Sequence, residues 1–542
     1  MKNFDWKNPY PSTRIPLFAR NVVSTSHPLA AQAGLRMLLK GGNAVDAAIA
    51  AAATIVLVEP VSCGLGGDCF AIVWDGQQLH GLNASGVAPA AWSVEYFKRK
   101  YGTGADGLAK QPKRGWDSAT VPGVVAGWAA LHGKLGKLPF EQLFEPAIEI
   151  AERGYAVPPV VAHKWAAAAG ELGSQPGYAQ AFMPNGRAPA VGEHFRFPDA
   201  AYALRRIAAS GGRDFYEGEL AERIAAFSKE CGGAMTLEDL RGYRPEWVKP
   251  ISKSYRGYEL HEIPPNGQGI AALIALGICE RFDIAGMPVD SVQSQHVQIE
   301  AMKLAFADLY RYVADPRSME VTPEQMLDDA YLDSRAKLLS LDRATHFEAG
   351  RPHAGGTIYL TAADENGMMI SFIQSNYMGF GSGIVVPGTG ISMQNRGVGF
   401  SMNPASANVV EPGKRPFHTI IPGFLTQGGR PVMSFGVMGG DMQPQGHLQT
   451  AIRMIDYHQQ PQAACDAPRW KVNRDFTLDV ESTMSAATVS GLKGLGHALK
   501  SVDDPYMDFG AGQFIWRMSG SDNELGYVAA SDPRRDGQAV GF

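Results

Sequence analysis

The chain has 542 residues and a mass of 58.2 kDa, with 45% hydrophobic and 19% charged residues, a net charge of −5 and a pI near 6.2. That composition suits a soluble, well-packed globular protein with room for two or three conventional domains, and it excludes a disordered chain. Basic residues come in short groups such as Lys98-Arg99-Lys100 and Lys414-Arg415, too brief for a nucleic-acid footprint.

From Met1 to Pro9 there is no apolar stretch followed by a small-residue cleavage site, so no signal peptide is read and a cytoplasmic location is expected. A strand is expected over Asn21 to Ser26, then a helix from about Leu29 to Lys40 that stops at Gly41-Gly42. Asn43 caps an Ala-rich helix reaching about Val58, whose small side chains allow close packing. With Asp46 inside it and Glu59-Pro60 behind it, this run is too short to span a bilayer, and no membrane association is expected. Cys63-Gly-Leu-Gly-Gly-Asp68 is a tight loop before a strand, Cys69 to Trp74, and lacks the Lys-Ser/Thr of a nucleotide loop. The five cysteines, Cys63, Cys69, Cys231, Cys279 and Cys465, fit neither a disulfide framework nor a zinc ribbon and read mostly as small core residues.

Residues 120 to 340 read as mainly helical, with helices near 124–134, 140–153, 200–208, 217–228 and 291–310. A strand from Tyr255 to Glu262 leads into the turn-rich Pro264-Pro-Asn-Gly-Gln-Gly269. His296 and Glu300 lie four apart on one helix, but with no second histidine nearby they read as surface or packing residues, and no metal cluster is expected. Tyr331 to Gly356 has the mixed composition of an exposed linker. Beyond it come short strands and turns, with helices near 446–458 and 484–499.

The segment from Gly355 to Gly383 is the most telling. Thr357 to Ala363 reads as a strand, Asp364-Glu-Asn-Gly367 as a hairpin turn, and Met368 to Ser375 as the return strand. Because 357 and 375 are equidistant from Asn366, the hairpin predicts Ser375 opposite Thr357. A cut between Gly356 and Thr357 would leave a threonine whose own α-amine, with an ordinary pKa near 8, can take the proton of its hydroxyl.

The sequence resembles the gamma-glutamyltransferase family of N-terminal nucleophile hydrolases over nearly its whole length. The resemblance is carried by Gly41-Gly-Asn-Ala-Val-Asp-Ala-Ala48, Val58-Glu-Pro-Val-Ser-Cys-Gly-Leu-Gly-Gly67, Val121-Pro-Gly123, Lys303-Leu-Ala-Phe-Ala-Asp308, the Thr357 hairpin, Pro412-Gly-Lys-Arg415, Gly439-Gly440 and Ser531-Asp-Pro-Arg534. It implies an α+β fold, an αββα sandwich of two stacked antiparallel sheets, formed jointly by fragments 1–356 and 357–542 that stay associated after autocleavage. It further implies Thr357 as nucleophile, Ser375 as its hydrogen-bonding partner, and Gly439 and Gly440 as backbone donors to an oxyanion. Taken alone, Ser375 could be an ordinary hairpin serine and the glycine pair a simple turn. Neither a metal nor an organic cofactor is needed for this chemistry, and the processed protomers leave room for a homodimer.

The positions that would read the substrate depart from the family pattern. Ser85 stands where an arginine holds the α-carboxylate, and Arg396 and Gly399 stand where Gln/Glu and Asp hold the α-amine. Tyr377 replaces an asparagine for which the neighbouring Asn376 could substitute, and His418-Thr419 replace paired serines. A cation at 396 with no carboxylate at 399 is a poor receptor for an ammonium group and a good one for a carboxylate. The expected substrate is therefore a small amide with an acyl-side carboxylate, oxamate-like or glutaryl-like, with Arg396 as anchor and Arg415 and His418 as further candidates. Arg396 could instead brace its loop through a core ion pair. A gamma-glutamyl hydrolase or transferase with a rearranged pocket, and an unprocessed inactive homologue, are the competing readings.

Overall fold

The structure, a computed structural model, describes residues 10, 14–345, 356–503, 509–518 and 526–542. Most of the segment leading up to Thr357, residues 346–355, lies outside the described residues.

Alternation along the strands builds two stacked sheets. In the strand Asp68–Trp74, Phe70 and Ile72 turn to one side, while Cys69, Ala71 and Val73 turn to the other, the two-residue period of a strand buried on both faces. The first sheet has seven antiparallel strands in the order Gln538–Gly541, Val22–Thr25, Gly356–Ala363, Met369–Tyr377, Asp68–Trp74, Leu79–Ala84 and Glu246–Val248. The second, also seven-stranded and antiparallel, runs Leu17–Ala19, Tyr527–Ser531, Ala511–Arg517, Arg430–Met438, Gly423–Gln427, Tyr258–Glu262 and Ile251–Tyr255. Phe70, Ile72, Tyr359, Ile373, Phe424, Met438 and Ile515 fill the space between them. Both sheets thus combine strands from before and after position 356.

Helices cover the two outer faces and complete the αββα sandwich. Over the first sheet lie Pro28–Leu39 and Ala44–Val58; every residue of the second is buried, and Asn43 and Asp46 close a capping box at its start. The small residues do what their pattern predicts: a Cβ on Gly34 would stand 2.8 Å from the Ala47 carbonyl oxygen, so the two helices approach almost to backbone contact. Over the second sheet lie Gly269–Cys279, Val292–Tyr312 and Met442–Ile455.

Several elements differ from the sequence expectation. The helix expected from 446 starts at Met442, because Pro444 falls in its first turn, where no N–H is required. The helix expected over 484–499 covers only Ala486–Gly494, and Leu499–Val502 instead pairs as a parallel strand with Leu478–Glu481. Residues 140–153 split into a 3-10 turn, Phe140–Phe144, and a helix, Glu145–Arg153. Cys231 is exposed, whereas the other four cysteines are buried.

The reading of His296 and Glu300 as lacking a second histidine is overturned. Both are wholly buried, and the fold brings His497 to them, with His296 Nδ1 2.8 Å from His497 Nε2. The Lys303 ammonium donates to Glu300 Oε1 (2.8 Å) and to His497 Nδ1 (3.2 Å). His497 must then donate from Nε2 to His296 Nδ1, and His296 from Nε2 to the Ser340 carbonyl at 2.7 Å. Glu300, His296 and His497 are close enough together to chelate an ion, but hydrogen bonds already occupy the imidazole lone pairs. The cluster clamps the chain at 340–345, where Thr345 N also donates to Glu300 Oε2 at 2.8 Å.

Candidate active site

The hairpin places Thr357 as its spacing predicts. Ladder partners run from Ile358 with Gln374 to Ala363 with Met369, and Gly356 pairs with Tyr377, so the return strand carries one extra residue at the position of Thr357. Such bulges re-aim side chains and favour functional sites. Thr357 Oγ1 lies 3.3 Å from Ser375 Oγ, which also accepts the Tyr377 N–H at 2.8 Å. Tyr377 closes the bulge at a φ of 75°, a region costly for a residue with a side chain. At the far end, Asp364 Oδ1 accepts the Asn366 N–H and Oδ2 the Ala44 N–H, both at 2.9 Å, pinning the turn to the Ala-rich helix.

In the opposite sheet, Gly439 and Gly440 link the strand Arg430–Met438 to the helix Met442–Ile455. Both have positive φ, 122° and 59°, and a Cβ on Gly439 would stand 2.9 Å from Gly510 Cα. Neither glycine N–H donates to another group among the described residues. Gln268 Nε2 holds the loop by donating to the carbonyls of Thr419 (2.5 Å) and Gly440 (2.8 Å). Gln443, on the first turn of the helix, reaches Thr357 Oγ1 with its Nε2 at 3.5 Å. Sequence reasoning missed both glutamines; the available signal was Gln443 three residues beyond the glycine pair.

Beside this centre lies a buried cluster of charged and polar side chains. Arg396 is wholly buried, stacks over the Tyr377 ring with 4.2 Å from Cζ to the centroid, and donates from Nη1 to Thr419 Oγ1 at 2.9 Å. Its Nε and Nη2 have no hydrogen-bond partner among the described residues, and Nε stands 3.9 Å from Asp68 Oδ2, too far to bond. Burial lowers the Arg396 pKa to about 10, partly offset by Asp68, so it is a cation at neutral pH. Burial lifts Asp68 to about 7, against the pull of Arg396 and the Gly86 N–H. His418 is held well below its ordinary value by burial and by the Arg396 and Arg415 cations. It is therefore neutral: its Nδ1 accepts the Ile420 N–H, and its Nε2–H donates to Asp68 Oδ2 at 3.0 Å.

The other expected residues are engaged elsewhere. Ser85 donates to Asn83 Oδ1 (2.7 Å) and receives Arg415 and Asn266. Arg415 is committed to Glu246 (3.0 Å), Ser85 and the Arg244 carbonyl. The Asn376 amide turns toward Ser392 at 3.4 Å, not toward Thr357. Of the proposed cations, only Arg396 has nitrogens without a hydrogen-bond partner among the described residues.

Comparison with known proteins agrees with this geometry. The family model described as gamma-glutamyltranspeptidase matches residues 30–542. The chain is 36% identical over 534 residues to the glutathione hydrolase-like YwrD proenzyme of Bacillus subtilis, spanning 96% of this chain and 98% of that one. It is 35% identical to the oxamate amidohydrolase proenzyme of Klebsiella pneumoniae, spanning 95% and 97%. Among solved structures, the cephalosporin acylase from Bacillus halodurans superposes with a TM-score of 0.92 at 48% identity, covering 99% of this chain and 98% of that one. With its stacked sheets, its threonine hairpin and this family match along nearly its full length, the chain is an enzyme that belongs to the gamma-glutamyltranspeptidase family.

Proposed function

We propose that this chain is a proenzyme that cuts its own Gly356–Thr357 bond and then hydrolyses small amides whose acyl group carries a second, terminal carboxylate. In the cut, Thr357 Oγ attacks the Gly356 carbonyl, the peptide becomes an ester by acyl shift, and water hydrolyses the ester to leave a free α-amine. That amine, with an ordinary pKa near 8, takes the Thr357 hydroxyl proton as Oγ attacks the substrate carbonyl. Ser375 holds Oγ by its 3.3 Å contact, and the Gly439 and Gly440 N–H groups receive the developing oxyanion. Collapse expels the amine product with the transferred proton, and water releases the acyl group from Thr357. Fragments 1–356 and 357–542 stay together because their strands share both sheets.

The observation that carries the substrate reading is the buried Arg396 cation, with Nε and Nη2 unpartnered, stacked on the residue that pairs with Gly356. A planar guanidinium edge matches a carboxylate, whereas an ammonium at the same place would be repelled. The name of one relative, an oxamate amidohydrolase, supports the same class of acyl group, since oxamate bears a carboxylate beside its amide. The test is a panel of amides sharing one leaving amine and differing at the acyl end: oxamate, glutaryl, neutral acyl and gamma-glutamyl. Preference for the carboxylates without an α-ammonium is expected; preferred turnover of the gamma-glutamyl amide would overturn the reading. Thr357→Ala should leave one uncut, inactive chain of 58.2 kDa.

A further inference from the structure

The Gln443 side chain is fixed at one end and open at the other. Its Oε1 accepts the Ile421 N–H at 2.9 Å, which sets the amide orientation, since the flipped amide would oppose two donors. The Nε2 end therefore faces Thr357. One N–H makes the 3.5 Å contact to Oγ1, and the second has no acceptor among the described residues, although the side chain is wholly buried. A buried amide donor without an acceptor costs stability, so its position beside the hydroxyl calls for a reason. Gln443 N also donates to the Gly440 carbonyl at 3.2 Å, so the same turn that presents the glycine N–H groups carries this side chain.

We propose that Gln443 is a further catalytic residue, a side-chain donor that joins Gly439 and Gly440 in binding the oxyanion formed when Thr357 attacks. This rests on Thr357 being the nucleophile. As the Oγ–C bond forms, the carbonyl π electrons move onto oxygen and the hydroxyl proton passes to the α-amine. The new anion is bonded to the carbon that Oγ has just joined, within reach of a donor already aimed at Oγ. When the C–N bond breaks, the electrons return to the carbonyl, the proton leaves with the amine, and Nε2 reverts to its long contact with Oγ1.

Two variants of the full-length protein test this. Gln443→Glu keeps an acceptor for Ile421 N–H and nearly the same shape but cannot donate as a carboxylate; Gln443→Met removes donor and acceptor without adding charge. For each, the processed fraction, the thermal midpoint, kcat and KM on the best amide, and inhibition by a phosphonate analogue of that amide are measured. Both are expected to lose about 10²- to 10³-fold in kcat per processed chain, the scale of one oxyanion donor, with KM changed less than about threefold. Phosphonate affinity should fall with kcat. A variant that stays uncut at the wild-type midpoint also supports the assignment, because the same oxyanion forms on the Gly356 carbonyl during cutting. Wild-type kcat in a processed Gln443→Glu or Gln443→Met protein overturns it and leaves Thr357 untouched, whereas activity surviving in Thr357→Ala overturns the nucleophile itself.

Discussion

Replacing Arg396 with methionine separates the charge of this buried cluster from its shape. The guanidinium Nε lies 3.9 Å from Asp68 Oδ2. At an effective dielectric near 20, unit charges that far apart attract by about 4 kcal/mol, equivalent to about three on the pH scale. Asp68 is already raised to about 7, so at pH 7 it holds a proton about half the time; without Arg396 it should stay protonated there and the protein should take up about half a proton. The exchange turns a buried ion pair into two neutral groups, which is often neutral or stabilising, so the thermal midpoint should change little. Function should not be spared. Two charge-assisted hydrogen bonds, from Nε and Nη2 to a substrate carboxylate, are worth about 1.5–3 kcal/mol each, so kcat/KM should fall by about 10² to 10⁴. The assay compares glutaryl and pentanoyl anilides of equal length, with processing followed on a gel. The reasoning fails if both substrates lose activity equally, or if neither does.

Other perturbations probe the frame around the site. Gly436→Ala would put a Cβ 2.4 Å from the Tyr359 ring between the sheets; overpacking of this kind costs about 1–3 kcal/mol, read as a lower thermal midpoint. The folded pKa of Asp68 is raised from 3.8 to about 7. Between those values the folded protein keeps a proton that the unfolded chain has released, so stability attributable to Asp68 falls as pH rises, by about 4 kcal/mol in all. Thermal midpoints of the wild type and Asp68→Asn should therefore converge or cross between pH 4 and 7, and parallel curves would refute the assignment. His497→Ala deprives His296 and Lys303 of a buried partner, at a cost of about 1–3 kcal/mol for each group stranded. Faster proteolysis at 340–345 would report the loosened clamp, with partial recovery in His497→Gln.

How much could be read from the sequence follows from how local each feature is. The Thr357–Ser375 pairing is local: a turn signal at Asp364–Gly367 fixes a register over only eighteen residues, and the ladder keeps it up to the bulge. The buried Ala-rich helix and its Asn43 cap are local as well. Arg396 could be picked out by its charge, but its stacking on Tyr377 and its unpartnered nitrogens depend on where the loop after Ser392 returns. His497 lies 201 residues from His296, and no periodicity relates the two. Gln443 was hidden by Pro444, which argues against a helix starting so early, although the first turn tolerates it.

The sharing of both sheets by strands from the two sides of position 356 bears on how a cut enzyme could be made. In the first sheet, Gly356–Ala363 and Met369–Tyr377 sit between Val22–Thr25 and Asp68–Trp74, with Gln538–Gly541 on the far side of Val22–Thr25. One uncut chain would assemble this weave by a first-order process, and the proposed cut would then yield two polypeptides that never had to meet. Once denatured, the pair must find each other by diffusion and rethread strands between strands. Recovery should then depend on concentration for the processed protein and not for Thr357→Ala, and the proposed maturation would act as a ratchet: easily folded once, and poorly reversible afterwards.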